Sequence, residues 1–205
     1  VPDVQLDLEL CENAQYGAVL ASLPSTYMQH YPNRPDDMSM DFFEKGYEAT
    51  SSSNISGGES LTICVDRWME DSSSDWVGHR NWQINPLLGK VGFGWAVGPN
   101  NATVGVEKIL DTSSDGCDYD FISWPASGNF PENTDLLVNN TANNSLWSVT
   151  LNPDKFQSIT KSNIVVTLTR NSDNKQWIFS GDEYSFDDFA DSSKEYFNVS
   201  QTIHY

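Results

Sequence analysis

The chain has 205 residues, enough for one domain of generous size or one domain with an appended subdomain. Hydrophobic residues make up 38% of it, with seven Trp, eight Tyr and ten Phe, which excludes a chain too polar to bury a core. With 29 acidic residues against 11 basic ones the formal net charge is -18, a field that repels nucleic acid and anionic membranes and excludes both as expected partners.

Residues 7–23 read as a helix: Asp7 is an N-cap, Leu10, Ala14, Ala18 and Ala21 recur at helical spacing, and Pro24 ends the run. A second helical pattern starts at Asp36 or Asp37, carries Met38, Phe42 and Phe43, and fades at Gly46. Residues 50–58 are polar, lack a period and end in two glycines, so a loop is expected. Leu61, Cys64, Val65 and Trp68 then form one helical stripe, followed by a solvated acidic loop over 70–75. Residues 78–85 read as a short helix or turn closed by Pro86.

From there the period changes to two. Val91, Phe93 and Trp95 alternate with Gly92, Gly94 and Ala96, and Pro99-Asn100-Asn101 turns the chain into a strand over 103–110. Further strands are expected over 146–151, 164–169 and 176–179, the last two as a hairpin about residues 171–174. The acidic stretch 182–194 reads as a partly ordered loop, and its Asp182-Glu183 and Asp187-Asp188 pairs as a solvated face. Residues 111–144 are rich in turn residues and without strong period, the expected border between a core domain (1–120) and a β-rich extension (121–205). Helices in the first 85 residues and strands afterwards indicate the α+β class, with helices packed on an antiparallel sheet.

No apolar run approaches the ~20 residues of a membrane span, and no signal peptide is visible ahead of Val1-Pro2-Asp3. Cys11 and Cys64 fall at apolar positions of expected helices, so they read as buried thiols rather than members of a disulfide framework. Asn54, Asn101, Asn139, Asn143 and Asn198 begin glycosylation sequons, which matter only in a eukaryotic secretory pathway. Residues 111–116 begin like a calcium loop, but Ile122 stands where the bidentate Glu would be, so a tight acidic turn is expected.

The segment from 78 to 94, G-H-R-N-W-Q-I-N-P-L-L-G-K-V-G-F-G, sets a His-Arg pair beside a junction between elements. The residues alone leave two readings open: His79 faces a cleft, or it is a structural histidine beside a surface arginine. Together with His30, the run Ser52-Ser53-Asn54-Ile55, and Trp68 followed by Glu70 or Asp71, this segment resembles the CAP superfamily. That superfamily comprises cysteine-rich secretory, antigen 5 and pathogenesis-related proteins, and the likeness is to its bacterial extracellular branch. Gly78-His79-Arg80, Asn85-Pro86 and Val91-Gly92-Phe93-Gly94 complete the order, over residues 4–112.

The resemblance implies an α-β-α sandwich with a large open cleft, a secreted or cell-surface location, and a chain that starts after the family's first helix. It implies a cleft lined by His30, Ser53, Asn54, Glu70, Asp71, His79 and Arg80, in which the two histidines form the polar centre. Ser53 stands where the family loop usually carries glutamate. Family members bind divalent metal through the histidine pair. Here His30 and His79 would supply two ligands to Zn²⁺, with Glu70, Asp71 or solvent as the third, although no cofactor is required.

Catalytic candidates are His30, His79, Glu70 and Ser53, and no nucleophile elbow accompanies the serine. Trp68 reads as core, and Trp76 as an exposed platform for a sugar or lipid. The expected role is therefore binding of an extracellular ligand or protein rather than catalysis. A metal-assisted or Ser/His hydrolase acting on peptide or cell-wall material is one alternative. A structural or adhesion module of a larger surface protein is the other.

Overall fold

The protein is described by a computed structural model covering residues 3–71, 77–128, 147–152, 154–156 and 164–180 in full, and 185–188 and 195–199 by backbone. The chain divides into two compact units, residues 1–69 with 79–117, and residues 70–78 with 118–205. The division falls at 117/118 where the composition placed it at 120/121, and the second unit also takes up the segment 70–78.

The first unit follows β1 (Gln5–Leu6), α1 (Leu8–Ala21), α2 (Met40–Ser51), β2 (Asn54–Ser56), α3 (Leu61–Glu70), α4 (Gly78–Gln83), β3 (Lys90–Val97) and β4 (Thr103–Lys108). Asp7 caps α1 as its composition requires, accepting from the backbone N–H of Glu9 and Leu10. The second helix begins later than expected, at a Ser39 cap, and does not fade at Gly46. Gly46 is buried there because a Cβ would come within 3.0 Å of the Leu20 side chain; the close α1–α2 crossing needs the missing carbon.

Four strands form one sheet in the order β1-β3-β4-β2. It is not wholly antiparallel, because β1 runs parallel to β3 (Gln5↔Lys90). The stretch 50–58 is likewise not simply a loop: Asn54, Ile55 and Ser56 pair with Glu107, Val106 and Gly105. Its short, mostly polar run hid an edge strand, held by backbone pairing to β4 and by the buried Ile55.

Period-two alternation along β4 assigns its two faces. Val104 and Val106 join Ala14, Ala18, Ala21, Ile55 and Ala96 in the buried core against α1. Gly105 faces the other way, where a Cβ would lie 2.7 Å from Cys64 Sγ on α3. Helices therefore cover both faces of this sheet, α1 on one and α3 on the other. α1 approaches β3 very closely, since a Cβ on Gly94 would sit 2.3 Å from the carbonyl of Ala14. Trp68 is 1% exposed, a core residue as its stripe position predicts.

In the second unit the described strands are β5 (Phe121–Trp124), β6 (Trp147–Leu151), β7 (Val165–Arg170), β8 (Lys175–Ser180), β9 (Ser185–Asp188) and β10 (Glu195–Val199). β5-β6-β10-β9 make one antiparallel sheet, and β7-β8 make the hairpin foreseen from the alternation. Phe179 is its buried centre, packed with Val149, Leu151, Ile164, Val166, Leu168 and Trp177. The reading of 182–194 as a loop misses β9, a four-residue strand paired with its neighbour β10, and the turn-rich reading of 111–144 misses β5, whose partner β6 lies more than 20 residues further on. The chain is thus mixed helix and sheet, helices early and most strands late.

All three cysteines are free: Cys64 is buried, Cys11 half-buried and Cys117 exposed. The acidic turn after β4 is a brace. Asp111 Oδ2 accepts from the N–H groups of Gly89, Lys90 and Ser113 and from Ser113 Oγ. Burial works to raise its pKa, but those hydrogen bonds outweigh it and hold the carboxyl below the usual range. Among the described residues no helix is long and apolar enough to cross a membrane.

Candidate functional site

Glu107 is the unexpected centre. Period two turns its side chain to the α3–α4 face, with Gly105, while Lys108 turns to the α2 face. There Glu107 is only 3% exposed. Its Oε2 accepts from Asn54 Nδ2 at 2.9 Å, and both carboxyl oxygens lie within 3.3 Å of Gln83 Nε2. Asn54 sits directly across from it in the β2–β4 register and donates also to the backbone carbonyl of His79 at 3.2 Å. Edge strand, neighbouring strand and α4 therefore meet on one carboxyl group.

Desolvation dominates its electrostatics and pushes the Glu107 pKa up to about 7, against the Asn54 and Gln83 hydrogen bonds and the charge of His79, which all pull it down. A group so placed changes charge near neutral pH. On the opposite face Lys108 Nζ lies 2.7 Å from both Glu48 Oε1 and Ser52 Oγ, so neighbouring residues of one strand carry opposite charges to opposite layers.

The residues singled out from the sequence separate into different roles. His79 and Asn54 belong to the Glu107 cluster. His30 serves a different contact: its Nδ1 lies 2.8 Å from the carbonyl of Thr50, whose hydroxyl donates back to the carbonyl of His30. That reciprocal pair latches the 30–32 segment to the end of α2. Arg80 is fully buried, and its Nε donates to the carbonyl of Met69 at 2.6 Å, which makes it an anchor between α4 and α3 instead of a cation open to an anionic ligand.

Ser53 is buried, and no base lies within hydrogen-bond distance of its Oγ among the described residues. Glu70 is half-buried at the end of α3, and Asp71 is buried with a positive φ of 47°, which corrects the solvated-loop reading for those two residues. Residues 72–76, and with them the platform expected at Trp76, lie outside the described residues. Asn54 is too buried to serve as a glycosylation acceptor, whereas Asn101 is exposed. Asn139 and Asn143 are outside the described residues, and the side chain of Asn198 is not described.

Among the described residues no three of His, Cys, Asp or Glu are grouped to hold a metal ion. His79 and Glu107 interact electrostatically, and His30 has one ring nitrogen committed to Thr50; a tetrahedral site needs more protein ligands than this arrangement assembles. A zinc ion held by His30 and His79 would need solvent or a further group to complete its coordination, and no chemical step is assigned to one.

Glu107 and Gln83 were not legible as site residues. The signal for Glu107 was its place: a glutamate directly after the apolar run Val104-Gly105-Val106, on an inward strand position. No family model, curated protein or solved structure matches this chain.

Proposed function

We propose that the first unit is an extracellular ligand-binding module of the CAP type, secreted or cell-surface, and that it binds at the half-buried His79 and Gln83, with the buried Asn54 and Glu107 directly behind them. The observation that carries this reading is the buried Glu107 carboxyl, held between two side-chain amides beside an imidazole. Burying a carboxyl group is costly, and an apolar side chain of similar size would brace the same strands at less expense. Retaining it there is economical when the group contacts something other than the protein. The order of Asn54, Trp68, His79 and the glycine-punctuated β3, with helices on both sheet faces, supports the CAP reading and its sandwich architecture.

A partly protonated Glu107 accepts or donates a hydrogen bond according to pH, and the half-buried His79 adds a second polar edge. Neutral or cationic groups on a peptide or cell-wall glycopeptide suit such a site, given the net charge of -18. The experiment is a titration with soluble peptidoglycan fragments and extracellular peptides, following the side-chain NMR signals of Asn54, Gln83 and His79. A ligand that shifts these signals in the wild type and is lost in Glu107→Gln and His79→Ala supports the reading. Binding that survives both substitutions overturns it.

The same carboxyl favours a second reading. A group titrating near neutrality is suited to general acid–base work, so Glu107 would serve as the proton carrier of a hydrolase. Release of cleaved fragments in the titration above, abolished by Glu107→Gln, would select it over simple binding.

A further inference from the structure

A row of rings runs along α2 and the 30–31 segment, its two tyrosines exposed and Phe43 and His30 half-buried. Helical spacing puts Phe43 and Tyr47 on one face, with ring centroids 5.5 Å apart. Tyr31 continues the row at 6.4 Å from Tyr47, and His30 follows at 6.3 Å. Tyr31 is 72% exposed and Tyr47 37%, and Met40, one turn before Phe43, is 55% exposed. α2 turns Gly46, Ala49 and Thr50 inward, Phe43 borders that buried side, and Tyr47 and Tyr31 stand out into solvent.

The row is also rigid. The reciprocal His30–Thr50 hydrogen bonds fix the backbone that carries Tyr31, and Pro32 next to it is buried. Rings held in place before binding lose little conformational entropy when a partner arrives.

We propose that Tyr31, Tyr47 and Phe43 form a docking surface for an extended, basic, proline-containing segment of another protein. Two observations select that occupant. Successive rings are tilted by 57° and 47°, which opens notches between them instead of presenting one flat face. A sugar stacks on a flat ring face, whereas a proline ring wedges between tilted ones. The ring spacing also approaches two residues of polyproline II, ~6.2 Å. The second observation is charge. Glu44 is exposed on the same helix, Glu48 is tied to Lys108 and Lys45 to Asp41, and the whole chain carries -18. Arginine or lysine beside the prolines complements that field and can lie over the tyrosine faces.

This surface does not depend on the Glu107 site or on the family reading. Its test is calorimetric titration of the full chain with a short synthetic peptide carrying Pro-x-x-Pro flanked by arginines. The expected result is micromolar binding that weakens as salt rises. Tyr31→Ala and Tyr47→Ala should each weaken it about tenfold, the size of loss typical of an interface anchor. Both side chains are surface-exposed, and unchanged circular dichroism would show that the variants fold; Tyr47→Phe should retain binding. Absence of binding at about millimolar peptide, equal binding by the tyrosine variants, or equal binding of a peptide with glutamates for arginines would each overturn the proposal. So would a neutral oligosaccharide that binds these rings in place of the peptide.

Discussion

Glu107 gives the protein a pH response opposite in sign to that of ordinary salt-bridged carboxylates. Its pKa is about 7 in the folded chain against 4.5 for the free group, so between those values the folded state holds the extra proton. Stability then falls as pH rises through that window. The contribution is complete below pH ~4.5 and lost above ~7, on the order of 3 kcal/mol in all. Asp111, whose pKa is lowered, acts in the other direction and only at more acid pH. Urea denaturation at pH 5 and pH 8 should show a steeper loss for the wild type than for Glu107→Gln. The variant should be the more stable of the two at pH 8 by about 1–3 kcal/mol. Equal pH slopes would show that Glu107 does not titrate in this range.

Among the elements, the contact of α1 with β3 sets the spacing of the first unit. Ala14, Gly17, Ala18 and Ala21 give the helix a shallow face, and Gly92 and Gly94 remove side chains from the strand beneath it. Apolar area alone would favour larger residues; the small ones bring the backbones close enough to exclude water and leave no gap. A methyl at Gly94 would meet Ala14 backbone atoms, which cannot swing aside as a side chain can. Gly94→Ala should therefore cost at least ~2 kcal/mol, read as a lowered urea midpoint. A matching substitution at exposed Gly128, where nothing lies within 4 Å, tests only backbone strain from its φ of 108°. Comparing the two separates overpacking from conformational cost.

The charge of the entire chain acts over longer distances. With -18 spread over 205 residues, like charges repel in the compact state, and the ion pairs described are mostly on exposed side chains. Screening should relieve more repulsion than attraction. Raising NaCl from about 0.01 M to 0.15 M shortens the Debye length from ~30 Å to ~8 Å, and the unfolding temperature should rise by a few degrees. A calorimetric scan that shows it falling would mean that local pairs, such as buried Lys108 with Glu48, outweigh the net field.

Local periodicity was enough to read α1, the α3 stripe, β3, β4 and the β7-β8 hairpin, because each declares its buried face within its own residues. Asp7 announced its cap, and Trp68 its burial, for the same reason. The edge strand β2, the parallel β1, and β5, β9 and β10 were not legible: each is two to five residues long, too short to show a period, and all but β9 pair with a strand far along the chain. His79 and Asn54 were marked by their motif, but a motif cannot say which carboxyl group they meet. Only the antiparallel register, which sets Asn54 opposite Glu107 and brings α4 above them, decided that. Burial then decided the chemistry, since a glutamate's proton affinity depends on the water removed from around it, a property of the folded surroundings that residue order does not contain.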